Sequence, residues 1–171
     1  EVLREQGETV IGFGRNASAG VKLSRLGAIF VQGDLTDHTL LMKAIPQNAV
    51  IIHCGALSSA WGKYEEFYQA NVVGTENVLD VAMKKNSKIV VHISTPSIYV
   101  EAKSKTDIRE TDPLPEKRIN HYAETKWLAE LAVDRAHQQG LPVITLRPQG
   151  IIGPGDPSIL PRLIRVAKKG F

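Results

Sequence analysis

Apolar residues run along this chain in two alternating rhythms. Short aliphatic runs bounded by Gly, Pro or Asp predict strands at residues 9–13, 28–32, 49–53, 88–94 and 142–147. Between them, longer stretches with helical spacing predict helices at 37–45, 65–85, 120–139 and 160–169. The helix at 37–45 is stopped by Pro46, and that at 65–85 carries Phe67, Tyr68, Val72, Val78, Leu79 and Ala82 near helical period. Residues 1–7 read as the end of a helix with a Gly7 stop. Residues 100–118 are charged, contain two prolines and read as a long loop. The run 49–53 is apolar throughout, as in a sheet covered on both faces. Strand–helix alternation implies right-handed crossovers and a doubly wound parallel sheet in a three-layer α/β/α arrangement.

Ligands of such sheets bind at the carboxyl ends of the strands. Here those ends carry Gly14-Arg15-Asn16, Gly33-Asp34-Leu35, Cys54-Gly55-Ala56, Ser94-Thr95-Pro96-Ser97 and Arg147-Pro148-Gln149-Gly150. Any one of these is ordinary turn chemistry, but five at one sheet edge favour a site.

Composition narrows the picture little. With 43% hydrophobic and 23% charged residues, the 171-residue chain suits one soluble domain. Its net charge of +3 is spread without a dense basic run, so nucleic acid is not an expected partner. No apolar run reaches the length of a membrane span and no signal peptide is seen, which leaves the cytoplasm as the expected location. The single Cys54 lies in an apolar run, where a buried thiol is the default, and the five histidines lack metal-site spacing. His53 and His92 read as core histidines at strand ends, and Trp61, Tyr64 and Phe67 as either pocket lining or core.

The stretch Asn120-His121-Tyr122-Ala123-Glu124-Thr125-Lys126 opens a long helix, with Tyr122 and Lys126 one turn apart on one face. A phenol beside an ammonium is an acid/base device. A free phenol titrates near 10, so using its anion near neutral pH requires about 4 kcal/mol. One lysine charge about 4 Å away supplies about that much at an effective dielectric of about 20. Alone, the spacing equally describes an exposed helix start with a solvated lysine.

Taken together, Gly33-Asp34-Leu35-Thr36-Asp37, Ile52-His53-Cys54-Gly55-Ala56, Asn71-Val72-Val73-Gly74-Thr75, Ser94-Thr95-Pro96-Ser97-Ile98-Tyr99, Tyr122-Ala123-Glu124-Thr125-Lys126 and Leu146-Arg147-Pro148 resemble the extended short-chain dehydrogenases/reductases, over essentially the whole chain. That class includes nucleotide-sugar epimerases and dehydratases. Ala60-Trp61-Gly62, Thr95-Pro96-Ser97 and Gly153-Pro154-Gly155-Asp156 are similar to its 3β-hydroxysteroid dehydrogenase-like branch. The resemblance implies a Rossmann-type sheet with the family's first strand and Gly-rich phosphate loop absent, and without the C-terminal substrate-binding region. In the family order 3-2-1-4-5-6 this leaves two half-sheets with unpaired inner edges, so the isolated piece is expected to be poorly soluble or partly unfolded.

The resemblance also implies roles. Tyr122 exchanges a proton with the substrate hydroxyl or carbonyl, Lys126 assists it and holds the nicotinamide ribose, and Thr95 holds the substrate oxygen, with Ser94 and Ser97 as adjacent alternatives. Asn71 matches a family residue near the active site, or equally a helix polar residue bonding backbone. Asp34 and Leu35 contact adenine; Asn16, Gly55 and Ala56 border the dinucleotide; Pro148 and Ile151 border the nicotinamide. Arg15 follows the second family strand, where an acidic residue would bond a ribose 2′-hydroxyl; an arginine suits a 2′-phosphate, which favours NADP over NAD. The expected activity is oxidation or reduction between a secondary alcohol and a ketone on a hydrophobic small molecule. The alternatives are a nucleotide-sugar epimerase or dehydratase with tightly held NAD, and a non-catalytic binding module. Relatives of this class commonly pair their two long helices into a homodimer, for which Trp127, Leu128, Leu131 and Ala132 are available; the alternative is that all four face the sheet.

Overall fold

Every strand hands the chain to a helix through a polar or glycine-bearing turn, and every strand pair is parallel. The structure, a computed structural model, describes residues 1–59, 61–101, 106–153, 155–156 and 159–168. Ala60 and Pro154 of the branch motifs, residues 102–105 of the long loop and Lys169 of the last expected helix lie outside the described residues. The order is α1 (Val2–Glu5), β1 (Ile11–Gly14), α2 (Ala17–Arg25), β2 (Ile29–Gln32), α3 (His38–Ala44) and β3 (Val50–His53). There follow α4 (Tyr64–Tyr68), a π turn (Gln69–Val73), α5 (Gly74–Lys84), β4 (Ile89–Ile93), a 3-10 turn (Pro96–Tyr99), α6 (His121–Gln138), β5 (Val143–Leu146) and α7 (Ile159–Lys168).

The five strands stand where the apolar pattern places them. The expected helix at 65–85 is α4 and α5 joined through the π turn, whose wider winding accommodates one extra residue and resets the apolar period. Helix α2 escapes the periodicity because Val21 and Leu23 are its only large apolar residues; its start is marked instead by the Asn16 side chain, which accepts from the Ala19 amide at 3.1 Å.

The strands form two sheets, β1-β2 and β3-β4-β5, and β1 does not pair with β3. This is the two-half-sheet arrangement expected from the family strand order. Leu41 of α3 packs with Val78 and Val81 of α5, and Phe13 of β1 and Ile51 of β3 pack against that group, so helices tie the sheets together. A second core joins Leu79 and Ala82 to Val90 and to Ala132, Val133 and Ala136 of α6. On the opposite face of β1-β2, α2 approaches so closely that a Cβ on Gly20 would stand 2.2 Å from the Phe30 ring; only glycine fits there.

That opposite layer covers β1-β2 and stops. On β3-β4-β5 it leaves Val50, Ile52, Ile144 and Leu146 exposed, in register with the half-buried Ile89, Val91 and Ile93. The expectation that the 49–53 strand is covered on both faces is therefore corrected: among the described residues, helices pack on one face only, because the β3→β4→β5 crossovers all run on the same side. None of the described helices is long and apolar enough to cross a membrane.

Candidate active site at the carboxyl edge

Helix α6 begins with Asn120 in an extended conformation, its side chain accepting from the Ala123 amide at 2.8 Å. This cap aims the first turn of α6, with the half-buried Tyr122, at the carboxyl edge of the sheet. One turn later Lys126 is buried to 2% exposure and crosses to β4, where its Nζ donates to the Ile93 carbonyl at 2.7 Å and lies 3.5 Å from His92 Nε2. A lysine is almost never buried without such partners. The Ile93 carbonyl immediately precedes Ser94 and Thr95, so Lys126 is anchored at the strand end that leads into the expected hydroxyls. Thr95 is buried and caps the 3-10 turn, with Oγ1 accepting from the Ser97 amide at 3.2 Å and donating to Ser97 Oγ at 3.0 Å; buried Ser94 Oγ has no hydrogen-bond partner among the described residues.

Asn71 lies in the π turn and is 1% exposed. Its Oδ1 accepts from the Leu57 amide at 2.7 Å, and its Nδ2 donates to the Leu57 carbonyl at 3.2 Å and to Thr125 Oγ1 at 3.0 Å. One side chain thus fixes the loop after β3 against α6, beside Lys126. The bonds to Leu57 fit the backbone-bonding reading of Asn71, and the bond to Thr125 brings it to the Tyr122 helix. Neither Thr125 nor the π turn follows from sequence; a polar residue inside an apolar period was the available signal.

At the other half-sheet, Arg15 and Asp34 approach to 3.5 Å and line an open cleft of about 490 Å³ with Thr36, Leu57, Glu65, Glu66, Gln69 and Ala70. Asp34 accepts from the Thr36 amide at 3.0 Å and from its hydroxyl at 2.9 Å. The Thr36 amide bond, helped by the hydroxyl and Arg15, holds its carboxyl below the usual range against the opposing effect of burial. Leu35 is wedged so tightly that a Cβ on Gly55 would stand 2.7 Å, and one on Gly74 2.9 Å, from its side chain. Ala56 follows Gly55 in the exposed turn after β3, and Asn16 is committed to capping α2. Pro148 is half-buried after β5, while Ile151 is 69% exposed and stands apart from the hydrogen-bonded network. Cys54 is exposed, not buried, because β3 ends at His53 and the chain leaves the sheet there. Phe67 is core, whereas Trp61 is 88% exposed.

Beneath Lys126, the rings of His53 and His92 stand 5.3 Å apart in paired strand positions. Burial, then the Lys126 charge, lowers His53 to about 4; burial, then Lys126 and His53, lowers His92 to about 2. Burial brings Lys126 itself down to about 8, with Glu130 and then Cys54 pulling the other way. Both histidines titrate lower in the fold than their ordinary value of 6.5, so the stability they give is complete above 6.5 and is lost as the pH falls toward their folded values. Each should forfeit about 2 kcal/mol between pH 6.5 and 5, before most carboxylates titrate. Urea midpoints measured across that window check this; a flat profile would mean that the two rings are solvated.

Residues 1–170 match the NAD dependent epimerase/dehydratase family, and the chain belongs to it. Among relatives, a 2-alkyl-3-oxoalkanoate reductase of Stenotrophomonas maltophilia is 35% identical over 98% of this chain and 51% of its own. A decarboxylating sterol-4-alpha-carboxylate 3-dehydrogenase of Candida albicans is 39% identical over 82% of this chain and 41% of its own. The solved dTDP-glucose 4,6-dehydratase DesIV of Streptomyces venezuelae, with NAD bound, superposes with a TM-score of 0.80 at 25% identity, over 95% of this chain and 53% of that one. The chain spans about half the length of the relatives it matches or less.

Proposed function

We propose that this chain carries the acid/base pair and part of the nucleotide site of an NAD(P)-dependent oxidoreductase that interconverts a secondary alcohol and a ketone on a hydrophobic substrate. The observation that carries the reading is the burial of Lys126 one turn after Tyr122, anchored to the strand end that leads into Ser94 and Thr95. A lysine that served only as a solvated surface charge would not cross a core to reach a strand carbonyl. In this reading Tyr122 gives a proton to the carbonyl oxygen, or takes one from the alcohol, and Thr95 holds that oxygen. The nicotinamide, when bound, supplies the hydride chemistry. Lys126 and Tyr122 would hold its ribose, with Pro148 and Ile151 at the ring, while Asp34, Leu35 and Arg15 hold the adenosine end. The cleft at Arg15 and the glycine-lined wedge around Leu35 suit that end.

A hydrophobic substrate is favoured by the reductase and sterol-dehydrogenase relatives. The test is net consumption of NADH or NADPH by the whole protein with 3-oxo acyl compounds and steroid ketones. Turnover of nucleotide sugars with no net change in nicotinamide would instead establish the epimerase/dehydratase reading, which the likeness to DesIV supports.

The preference for NADP rests on Arg15, whose side chain is 68% exposed and only loosely held by Asp34. Glu65 and Glu66 line the same cleft and oppose a 2′-phosphate. If Arg15 grips that phosphate, Arg15→Ala weakens NADP by about 1.5–3 kcal/mol and leaves NAD nearly unchanged. Titration of both nucleotides decides it; equal losses would mean that Arg15 only stacks or packs.

A further inference from the structure

We propose that His92 is a positioning residue that holds Lys126 in its buried orientation by accepting, through Nε2, a hydrogen bond from the Lys126 ammonium. The inference rests on the reading of Tyr122 and Lys126 given above. His92 is fully buried in the middle layer of the fold, on the covered face of β4, a place where an aliphatic or aromatic residue would pack without polar cost. The polar contact of its ring among the described residues is Lys126 Nζ at 3.5 Å, and its Nδ1 has no partner there.

The hydrogen-bond chemistry fixes the tautomers. An ammonium has donors only, so His92 must present the bare lone pair of Nε2 to it and carry its own proton on Nδ1. His53 is the reverse. Thr75 gives its single hydroxyl proton to the Asn71 carbonyl at 2.6 Å, so its oxygen must accept from His53 Nε2–H at 2.9 Å. Two histidines 5.3 Å apart therefore carry opposite tautomers, and the one that leaves an N–H unpaired is the one that faces the lysine. A buried N–H without a partner is costly, and the bond to Lys126 is what offsets it.

The geometry also says what the contact does. Ile93 carbonyl and His92 Nε2 take two of the three ammonium protons from the β4 side, which leaves the third for the side where Tyr122 and a bound ribose would lie. The charged and titratable groups around Lys126 are His92 from β4, His53 and Cys54 from β3 and its exit, and Glu130 one turn along α6. Among these His92 is the neutral acceptor in hydrogen-bond reach of Nζ, so replacing it with an apolar ring leaves the ammonium less supported and moves the ionisation of Lys126 to lower pH.

Two measurements test this. In ¹⁵N NMR spectra of the whole protein at pH 6.5, His92 should be neutral with its proton on Nδ1, and His53 neutral with its proton on Nε2. A His92 Nε2–H tautomer or an imidazolium overturns the proposal, whatever the chain catalyses. In the whole protein, His92→Phe should shift the alkaline limb of the kcat/KM profile down by about one pH unit, the scale of one hydrogen bond to a charged group. His92→Gln, which keeps an acceptor, should bring the limb back toward its original place. A limb that stays put in a folded His92→Phe protein overturns the proposal. Correct tautomers in a protein without dehydrogenase activity would uphold the lysine contact and sink the catalytic reading instead.

Discussion

In the whole protein, Tyr122→Phe is expected to lower turnover by at least about 100-fold, the lower range for loss of a general acid/base. The substitution removes one oxygen from a half-buried ring in the first turn of α6. None of the hydrogen bonds that build the site uses that oxygen: the cap runs through Asn120, the loop is held by Asn71 and Thr125, and Lys126 is held by Ile93. The fold should therefore survive, nucleotide binding should lose at most the ribose contact of Tyr122, and the main loss should fall on the chemical step. Single-turnover measurement of hydride transfer beside a melting curve separates these. A near-normal rate in a folded Tyr122→Phe protein would remove Tyr122 from the mechanism.

Glu130→Gln is expected to destabilise the fold by about 3 kcal/mol, the lower range for breaking a buried ion pair. Glu130 is 3% exposed and takes Arg147 in two parallel bonds, Nε to Oε1 at 2.9 Å and Nη2 to Oε2 at 2.5 Å. Arg147 also donates to the Tyr99 hydroxyl, which in turn donates to the Glu110 carbonyl at 3.1 Å. One guanidinium thus joins β5, α6, the 3-10 turn and the following loop. Replacing the carboxylate with a neutral amide leaves a cation with one-fifth of its side chain exposed, its paired charge gone and only the weaker pull of Asp134 left. The control is the double variant Glu130→Leu with Arg147→Leu, which should cost less than Glu130→Gln because the guanidinium is removed together with its carboxylate. Urea denaturation of both decides, and a loss under about 1 kcal/mol for Glu130→Gln would mean that water takes over the guanidinium.

The strand order and the shared helix of Tyr122 and Lys126 were legible because each rests on a local rule: aliphatic runs for the strands, one-turn spacing for the two side chains. Long-range partners were not. Glu130 and Arg147 are distant in sequence from Tyr99, and no periodicity couples them. The exposure of Cys54 was missed because an apolar run does not show where its strand ends. The two-sided burial expected for β3 failed because Val50 and Ile52 look the same in a run whether or not a helix layer covers them. His92 was legible only as a core residue. Its alternation with Ser94, and its register with His53, acquire meaning once the strands are paired.

The division of the strands into two sheets has a consequence for how the molecule opens. The β1-β2 pair is a two-stranded ribbon, a size that is marginal by itself, and few residues before position 40 are buried. The fully covered residues concentrate in α5, β4 and α6. Backbone amides of β1, α2 and β2 should therefore trade their hydrogens for deuterium through a partial opening that leaves the other sheet intact, while those of Val90 and His92 exchange only when the whole chain unfolds. The dinucleotide's adenosine end, if it lies between Arg15 and Asp34, would then be gripped by the looser of two protection units, and binding would be read as slowed exchange there before anywhere else.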